Sequence, residues 1–315
     1  MSAALETDAA SPRDVEVPLP GRPRLAVRLS DGPLRPFLLV HGLASNARLW
    51  DGVTRRLAAA GHAVAAVDLR GHGRSEAPAA PDGAGGNGGY DTDTCADDLA
   101  ALTDELGFTG GRTPVVVGQS WGGNVVMSLA ARRGGVAALG CVDGGWIRPS
   151  QRFATFEDCW AELAPPSFEG RRYADLRARI AAAHPDWPAE GVEGTLQNLR
   201  ELPDGGVENR LSREHHREIV RSMYLGDPRA WYPLVRVPVL LCPAVVPEGA
   251  PDPTGRSARR RSDVAQALQL LADARVSWYV GADHDLHAQH PGRLAADLLA
   301  LAADAEPDAD LEAHG

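Results

Sequence analysis

Residues 118–122 read Gly-Gln-Ser-Trp-Gly and follow the G-x-S-x-G pattern, with Ser120 at its centre. An apolar, β-branched run at 114–117 precedes the motif, and a segment of small residues with helical character follows from Gly123. A serine between a strand and a helix in this way lies on a sharp turn, where a Cβ at either flanking glycine would collide with a neighbouring element. We therefore predict that Ser120 is a nucleophile for acyl transfer rather than a structural turn serine.

A second motif could stabilise the oxyanion that such a reaction forms. The segment FLLVHGLASNARLW ends a predicted strand at His41 and Gly42 and continues as a loop. Serine hydrolases direct two backbone N–H groups at the oxyanion, one from the residue after the nucleophile and one from the loop after the third strand. We predict that these donors belong to Trp121 and Leu43. The polar segment DLRGHGRS, which follows the next predicted strand, is better explained as a structural turn.

Histidine is the usual general base for a serine nucleophile, and the chain has 10. His284 follows the last predicted strand, at the end where a parallel sheet gathers its catalytic loops. His287 and His290 come at steps of three and suggest a metal site, but on one helix such steps turn the third ligand away from the second. The sequence also has no HExxH or CxxC motif. We predict neither a metal nor a cofactor, and we assign His287 and His290 to packing or to the surface.

Four segments in this order, HGLASNARLW, DLRGHGRS, GQSWGG and GADHDLHAQHP, resemble the α/β-hydrolase family over about residues 20–302. The resemblance implies an eight-stranded, mostly parallel sheet with a lid over its C-terminal edge, and the chain order nucleophile, acid, histidine. It also implies that His284 is the base. The first histidine of G-x-x-H-x-x-H before a proline holds that place in the family's last loop.

The acid that orients the histidine has two candidate positions. In much of the family it follows the penultimate predicted strand, but this chain reads CPAVVPEGAPDP there, with Val245 and Val246 where a Gly and an Asp are common. Glu248 and Asp252 lie a few residues later and remain alternatives. Asp143 ends the preceding predicted strand, from which some family members draw their acid, and the glycines after it allow close approach. We predict Asp143 as the acid ahead of Glu248, rather than as a cap of the next element.

The elements that must position these residues follow from the pattern of apolar runs. Strands are predicted at 25–29, 37–40, 63–67, 115–117, 138–142, 237–241 and 276–280. Helices are predicted at 50–60, 94–106, 123–132, 262–272 and 291–301. Strands and helices in alternation predict an α/β fold, with a mostly parallel sheet covered by helices on both faces.

One interval interrupts this alternation. Residues 144–236 are helical and proline-rich in character, without a convincing strand, and predict a helical lid inserted between core segments 15–143 and 237–302. The small, polar and acidic ends predict flexible termini at 1–14 and 303–315. The Gly- and Pro-rich stretch 77–90 predicts a mobile surface loop.

Composition limits the classes of protein that the chain could belong to. With 315 residues, of which 44% are hydrophobic and 23% charged, it matches a folded globular protein. Its net charge of −10 and its scattered arginines, with no lysine, argue against a nucleic-acid partner. The longest uncharged stretch, 113–131, is broken by polar residues and glycines, so we expect no membrane span. The first residues lack a secretory leader, so we expect a cytoplasmic protein with its 4 cysteines as reduced thiols.

Together these residues predict a serine hydrolase that forms an acyl-enzyme on Ser120 and cleaves an ester, lactone or thioester of small to medium size. The expected partner is a small-molecule substrate, and the sequence does not specify the oligomeric state. Two alternatives use the same scaffold. One is a ligand receptor that signals through a partner, and the other is a cofactor-free perhydrolase or carbon–carbon bond hydrolase with the same triad.

Overall fold

The computed structural model describes residues 11–78 and 89–305. Most of the predicted mobile loop at 77–90, and most of both predicted flexible termini, lie outside the described residues. No described helix combines the length and the apolar character that crossing a bilayer requires.

Strands and helices alternate along most of the described chain. The strands are β1 (Arg13–Val17), β2 (Leu25–Ser30), β3 (Leu34–Val40), β4 (His62–Val67), β5 (Val115–Gln119), β6 (Ala138–Val142), β7 (Leu199–Glu201), β8 (Val207–Asn209), β9 (Val239–Cys242), β10 (Ala244–Val245), β11 (Ala274–Val276) and β12 (Tyr279–Val280). The α-helices are α1 (Asp51–Ala59), α2 (Thr92–Glu105), α3 (Trp121–Arg132), α4 (Phe156–Leu163), α5 (Tyr173–Ala183), α6 (Ala189–Leu196), α7 (Arg213–Leu225), α8 (Arg256–Leu270), α9 (Leu286–Gln289) and α10 (Pro291–Asp304).

The main sheet has 8 strands in the order β1-β2-β4-β3-β5-β6-β9-β11. Strand β2 runs antiparallel to both of its neighbours, and every neighbouring pair from β4 to β11 is parallel. The predicted fold class, a mostly parallel eight-stranded sheet flanked by helices, is confirmed.

Two predicted boundaries differ from the structure. Arg13 and Asp14, which we assigned to a flexible N-terminus, belong to β1 and pair with β2. The sequence does not predict β1, because its segment RDVEV has only two apolar residues and lies at the edge of the sheet. At the other end, α10 continues to Asp304, beyond the predicted limit at 302.

The central strands are buried on both faces. In β3, Leu38 packs in a cluster with side chains of α2 and α3, whereas the next residue, Leu39, packs in a second cluster with side chains of α1 and α10. Successive side chains of a strand point to opposite faces, so a sheet between two helical layers needs apolar residues at every position. Burial of both faces therefore explains the uninterrupted apolar runs from which these strands are predicted.

The 4 cysteines, Cys95, Cys141, Cys159 and Cys242, are buried and free, as predicted. Burial raises the pKa of the Cys141 thiol to about 12. Since the thiolate is the reactive form, this buried thiol is a weak nucleophile at neutral pH.

The strands near the C-terminus are divided in a way that the sequence does not predict. After β9 the chain passes Pro243 and resumes as β10, which pairs with β12 rather than with β11. The predicted strand at 276–280 is accordingly interrupted between β11 and β12. The backbone beyond β9 therefore remains extended, and Val245 is buried.

Residues 144–236 contain helices α4 to α7 and one pair of strands, so the prediction that the interval has no strand is wrong. Strands β7 and β8 form an antiparallel hairpin of three residues on each side. Such short, half-exposed strands carry too little periodicity to be predicted. The interval contacts the core through Asn46, whose Nδ2 atom donates a hydrogen bond to the carbonyl oxygen of Gly194 at 2.8 Å. Its role as a lid stays a prediction.

Candidate active site

The C-terminal ends of three neighbouring strands gather the residues that could do chemistry. Strand β5 lies between β3 and β6, so the turns that begin at His41, Ser120 and Asp143 lie side by side. The Ser120 N–H donates a hydrogen bond to the carbonyl oxygen of Val142 at 2.9 Å, which joins two of these turns directly.

Ser120 lies on a strained turn between β5 and α3. Its backbone has φ 54° and ψ −126°, and a side chain in such a sparsely populated region costs about 1–3 kcal/mol. The flanking glycines allow this turn. A Cβ on Gly118 would collide with the backbone of Gly122, and a Cβ on Gly122 would collide with the carbonyl oxygen of His41. The Ser120 hydroxyl is thereby presented beyond the end of β5.

A chain of hydrogen bonds joins Ser120 to His284 and Asp143. The Nε2 atom of His284 lies 2.9 Å from Ser120 Oγ, and its Nδ1 atom lies 2.5 Å from Asp143 Oδ2. The Asp143 side chain is fully buried, whereas that of His284 is 38% exposed. When Nδ1–H donates to the carboxylate, Nε2 can accept the proton of the serine hydroxyl. The structure thus brings together the residues predicted as nucleophile, base and acid.

The other predicted acids lie elsewhere. Glu248 is exposed on the loop that follows β10. Asp252 caps α8, because its carboxylate accepts hydrogen bonds from the first two N–H groups of that helix at 3.0 and 2.8 Å. Of the three candidate carboxylates, Asp143 is the one within hydrogen-bond distance of His284.

Leu43 and Trp121, the predicted oxyanion donors, lie on turns that pack together. Trp121 is the first residue of α3, where backbone N–H groups have no partner within the helix. The turn before Leu43 lies against the nucleophile, since a Cβ on Gly42 would be 2.8 Å from Ser120 Cβ. Neither the Leu43 N–H nor the Trp121 N–H donates to another described residue. Both can bind a substrate oxygen, and this role stays a prediction.

His41 fixes the turn that carries Leu43. Its Nδ1–H donates to the carbonyl oxygen of Gly42 at 2.7 Å, and its Nε2 accepts from the Leu69 N–H at 3.0 Å. Burial lowers the pKa of His41 to about 4, so the neutral imidazole keeps both hydrogen bonds at physiological pH. His41 is therefore a structural residue of this site.

Sequence reasoning missed two residues that contact the triad. Gln119 donates through Nε2 to the carbonyl oxygen of His284 at 3.2 Å and to Asp285 Oδ1 at 3.1 Å, which holds the histidine loop against β5. Arg260 of α8 donates through Nη2 to Asp143 Oδ2. Gln119 occupies a variable position of the G-x-S-x-G pattern, and Arg260 is one of three consecutive arginines. Neither position carries a signal that distinguishes it from a surface residue.

His287 and His290 do not take part in the hydrogen bonds of the triad. His287 is fully buried, and its ring packs on Trp50 with 4.5 Å between ring centroids. Burial lowers its pKa to about 4. His290 immediately precedes α10. Over residues 11–78 and 89–305, no group of three or more His, Cys, Asp or Glu side chains is arranged to hold a metal ion.

Opposing effects set the pKa of His284. Its partial burial lowers the pKa, but the hydrogen bond and the charge of Asp143, together with the charge of Asp285, raise it above the ordinary value of 6.5. The positive charge of Arg260 acts in the lowering direction. The net result is a histidine that becomes neutral at a higher pH than a free imidazole does.

We expect kcat/KM for an ester to rise with pH along a one-proton curve whose midpoint lies above 6.5. His284 must be neutral to accept the Ser120 proton, and its raised pKa moves the neutral form to higher pH. Hydrolysis of p-nitrophenyl acetate from about pH 5 to 9, at constant ionic strength, measures this curve across the range in which histidine titrates. A midpoint below that of free imidazole would contradict the expectation.

Comparison with known protein families places the whole site inside one family. The model of the alpha/beta hydrolase family matches residues 37–297. The chain belongs to the alpha/beta hydrolase family. The matched span of this alpha/beta hydrolase contains Ser120, Asp143 and His284. The chain is therefore a hydrolase by family.

Individual relatives of this alpha/beta hydrolase differ in activity. The non-heme chloroperoxidase of Streptomyces lividans is 28% identical over 279 residues, which cover 84% of this chain and 91% of that protein. Lipase LipV of Mycobacterium tuberculosis is 38% identical over 184 residues, which cover 58% of this chain and 63% of the lipase. The solved structure of E-2-(acetamidomethylene)succinate hydrolase has a TM-score of 0.70 at 23% identity and covers 92% of this chain and 98% of its own. That structural likeness shows the fold alone.

Proposed function

We propose that this alpha/beta hydrolase cleaves a carboxylic ester, lactone or thioester of small to medium size through an acyl-enzyme on Ser120. The observation that carries the proposal is the continuous hydrogen-bond chain from Ser120 Oγ through His284 to the buried carboxylate of Asp143. A hydroxyl on a strained turn, a base at 2.9 Å and an orienting acid are the components of nucleophilic acyl transfer.

The reaction follows from the positions of these atoms. Ser120 Oγ attacks the substrate carbonyl carbon while His284 Nε2 takes the hydroxyl proton, and the N–H groups of Leu43 and Trp121 bind the oxyanion. Collapse of the tetrahedral intermediate breaks the bond to the leaving oxygen or sulfur, which receives that proton from His284. Water then attacks the Ser120 ester, His284 again accepts and returns a proton, and the acid product leaves. Throughout, Asp143 holds the imidazole in its Nδ1–H tautomer and balances the charge of the imidazolium.

The relatives support ester cleavage and suggest one further activity. The name of LipV supports a carboxylic ester as substrate. The Streptomyces lividans relative is a non-heme chloroperoxidase, which favours perhydrolysis as a second candidate. In that reaction hydrogen peroxide replaces water, attacks the same acyl-enzyme and releases a peracid and free Ser120. The two activities therefore share every step up to deacylation.

A fluorophosphonate probe and a series of p-nitrophenyl esters, from acetate to laurate, test the proposal. We expect the probe to phosphonylate Ser120 with loss of fluoride, as located by peptide mass spectrometry, and the native protein to turn over the esters. A heat-denatured sample is the control and should take up no label. Label on another residue, or saturable ester binding without turnover, would contradict the proposal, and the second outcome would support a ligand receptor. Iodide oxidation in the presence of peroxide and an ester measures peracid formation.

A further inference from the structure

Arg260 reaches the triad from a helix that carries none of its three members. It lies in the second turn of α8 and is flanked by Arg259 and Arg261, which are exposed, whereas the side chain of Arg260 is largely buried. Its Nη2 donates to Asp143 Oδ2, and its Nη1 donates to the carbonyl oxygen of Ala244 at 2.7 Å. The guanidinium thus connects the carboxylate after β6 with the backbone of β10.

The Asp143 carboxylate is fully buried, so its charge and both of its oxygens need partners. Its Oδ1 accepts from the Ala244 N–H at 3.1 Å. Its Oδ2 accepts from both His284 and Arg260. The residue next to Arg260 in this network is therefore the general base of the proposed mechanism.

Arg260 also lies against His284. Its Nη2 is 3.3 Å from His284 Nδ1, and because Nδ1–H already donates to Asp143, the two nitrogen groups share one acceptor oxygen. Two positive charges this close repel each other when the imidazole is protonated. Asp143 favours the imidazolium, and Arg260 opposes it.

We propose that Arg260 is a positioning residue that fixes the Asp143 carboxylate and limits how strongly that carboxylate favours the protonated form of His284. The inference rests on the proposed function, because it assigns a role through the base and acid of that mechanism. A base must be neutral to begin the reaction, and the buried carboxylate beside it favours the protonated form. The guanidinium on the same oxygen counters this effect while it holds the carboxylate in place.

Other charged groups also face these two residues, and a test must separate their effects from that of Arg260. The charged and titratable groups that act on or lie beside His284 are Asp143, Asp285, Arg260 and His287. Those around Arg260 are Asp143, Asp252, Arg256 and Arg259. A variant of Arg260 is therefore compared with a matched variant of Arg259, which removes the same charge from the exposed side of the same helix.

The experiment measures the pH profile of kcat/KM and the value of kcat for p-nitrophenyl acetate in R260M, R260K and R259M. In R260M the opposing charge is lost, so we expect the midpoint of the acid limb to move to higher pH and kcat to fall about 10- to 100-fold as the carboxylate loses its anchor. In R260K the charge remains but the two-pronged contact is lost, so kcat should fall while the midpoint stays at the wild-type value. R259M should match the wild type in both.

Several outcomes would overturn the inference. If R260M melts at a lower temperature but keeps the wild-type midpoint, Arg260 stabilises the fold and does not tune the base. A midpoint that moves to lower pH also contradicts it, as does a shift of equal size in R259M. If R260M does not fold, R260K is the test. An unchanged kcat in R260K would show that Arg260 does not position the Asp143 carboxylate. These results are separate from the proposed function, which fails if the wild-type protein does not acylate at Ser120 or binds esters without turnover.

Discussion

Replacement of Ser120 by alanine is expected to lower kcat for p-nitrophenyl esters by at least about 10³-fold, with little change in folding. The hydroxyl is the only group of the proposed triad that forms a covalent bond to the substrate, and His284 has no proton to take without it. The residual rate reflects the oxyanion donors and substrate binding alone. Initial rates, combined with active-site titration of the wild-type protein, measure the difference.

Ser128 offers a matched control for this variant. It lies on α3, two turns beyond the nucleophile, and its Oγ donates to Asp93 Oδ1 at 2.6 Å rather than to any group of the triad. S128A should lose about 1 kcal/mol of stability with the hydrogen bond and keep its esterase activity. Full activity in S120A would exclude Ser120 as the nucleophile, and comparable losses in both variants would point to a general effect on the fold.

Replacement of Asp143 by asparagine is expected to lower kcat by roughly 10³- to 10⁴-fold. An asparagine amide can donate to Nδ1, which would stabilise the imidazole tautomer with its proton on Nε2, and that tautomer cannot accept the Ser120 proton. The loss of negative charge also removes the group that stabilises the imidazolium in the transition state. The same ester assay measures the effect, together with a thermal melt, because the asparagine leaves Arg260 next to a neutral group.

The exposed Glu248 provides the comparison, since it is the other carboxylate that the sequence places near the base. E248Q is expected to hydrolyse esters at the wild-type rate. If E248Q loses activity and D143N keeps it, the loop after β10 must reach His284 during catalysis, and Asp143 would then be a structural residue. Normal activity in D143N would by itself show that Asp143 is not the acid of the triad.

The sequence predicts Ser120, His284 and Asp143 as a triad, and the structure joins the three side chains through two hydrogen bonds. The G-x-S-x-G spacing reflects the backbone contacts around Gly118 and Gly122. The prediction of Asp143 as the acid follows from a missing residue, since Val245 and Val246 stand where a Gly and an Asp are common. In the structure Val245 belongs to β10, pairs with Val280 of β12 and is buried.

Other parts of the site could not be predicted, because they depend on contacts between distant segments. Arg260 and its exposed neighbours are identical as residue types, and only the placement of α8 against β10 decides which of them meets Asp143. The predicted helix at 262–272 also began too late, so it excluded Arg260 altogether. Gln119 likewise acts on a loop 165 residues away in the chain. Spacing along a sequence carries no information about contacts of this kind.

The carboxylate that contacts His284 follows β6, and the exposed residues 247–250 after β10 have no part in the described hydrogen bonds of the triad. Their neighbour Asp252 caps the start of α8, the helix that carries Arg260. The exposed loop at 247–250 and the cap of α8 at Asp252 are therefore separate parts of one short segment. We therefore expect an inserted recognition peptide or reporter at 247–250 to leave the contacts of the triad intact, provided that Asp252 still caps α8.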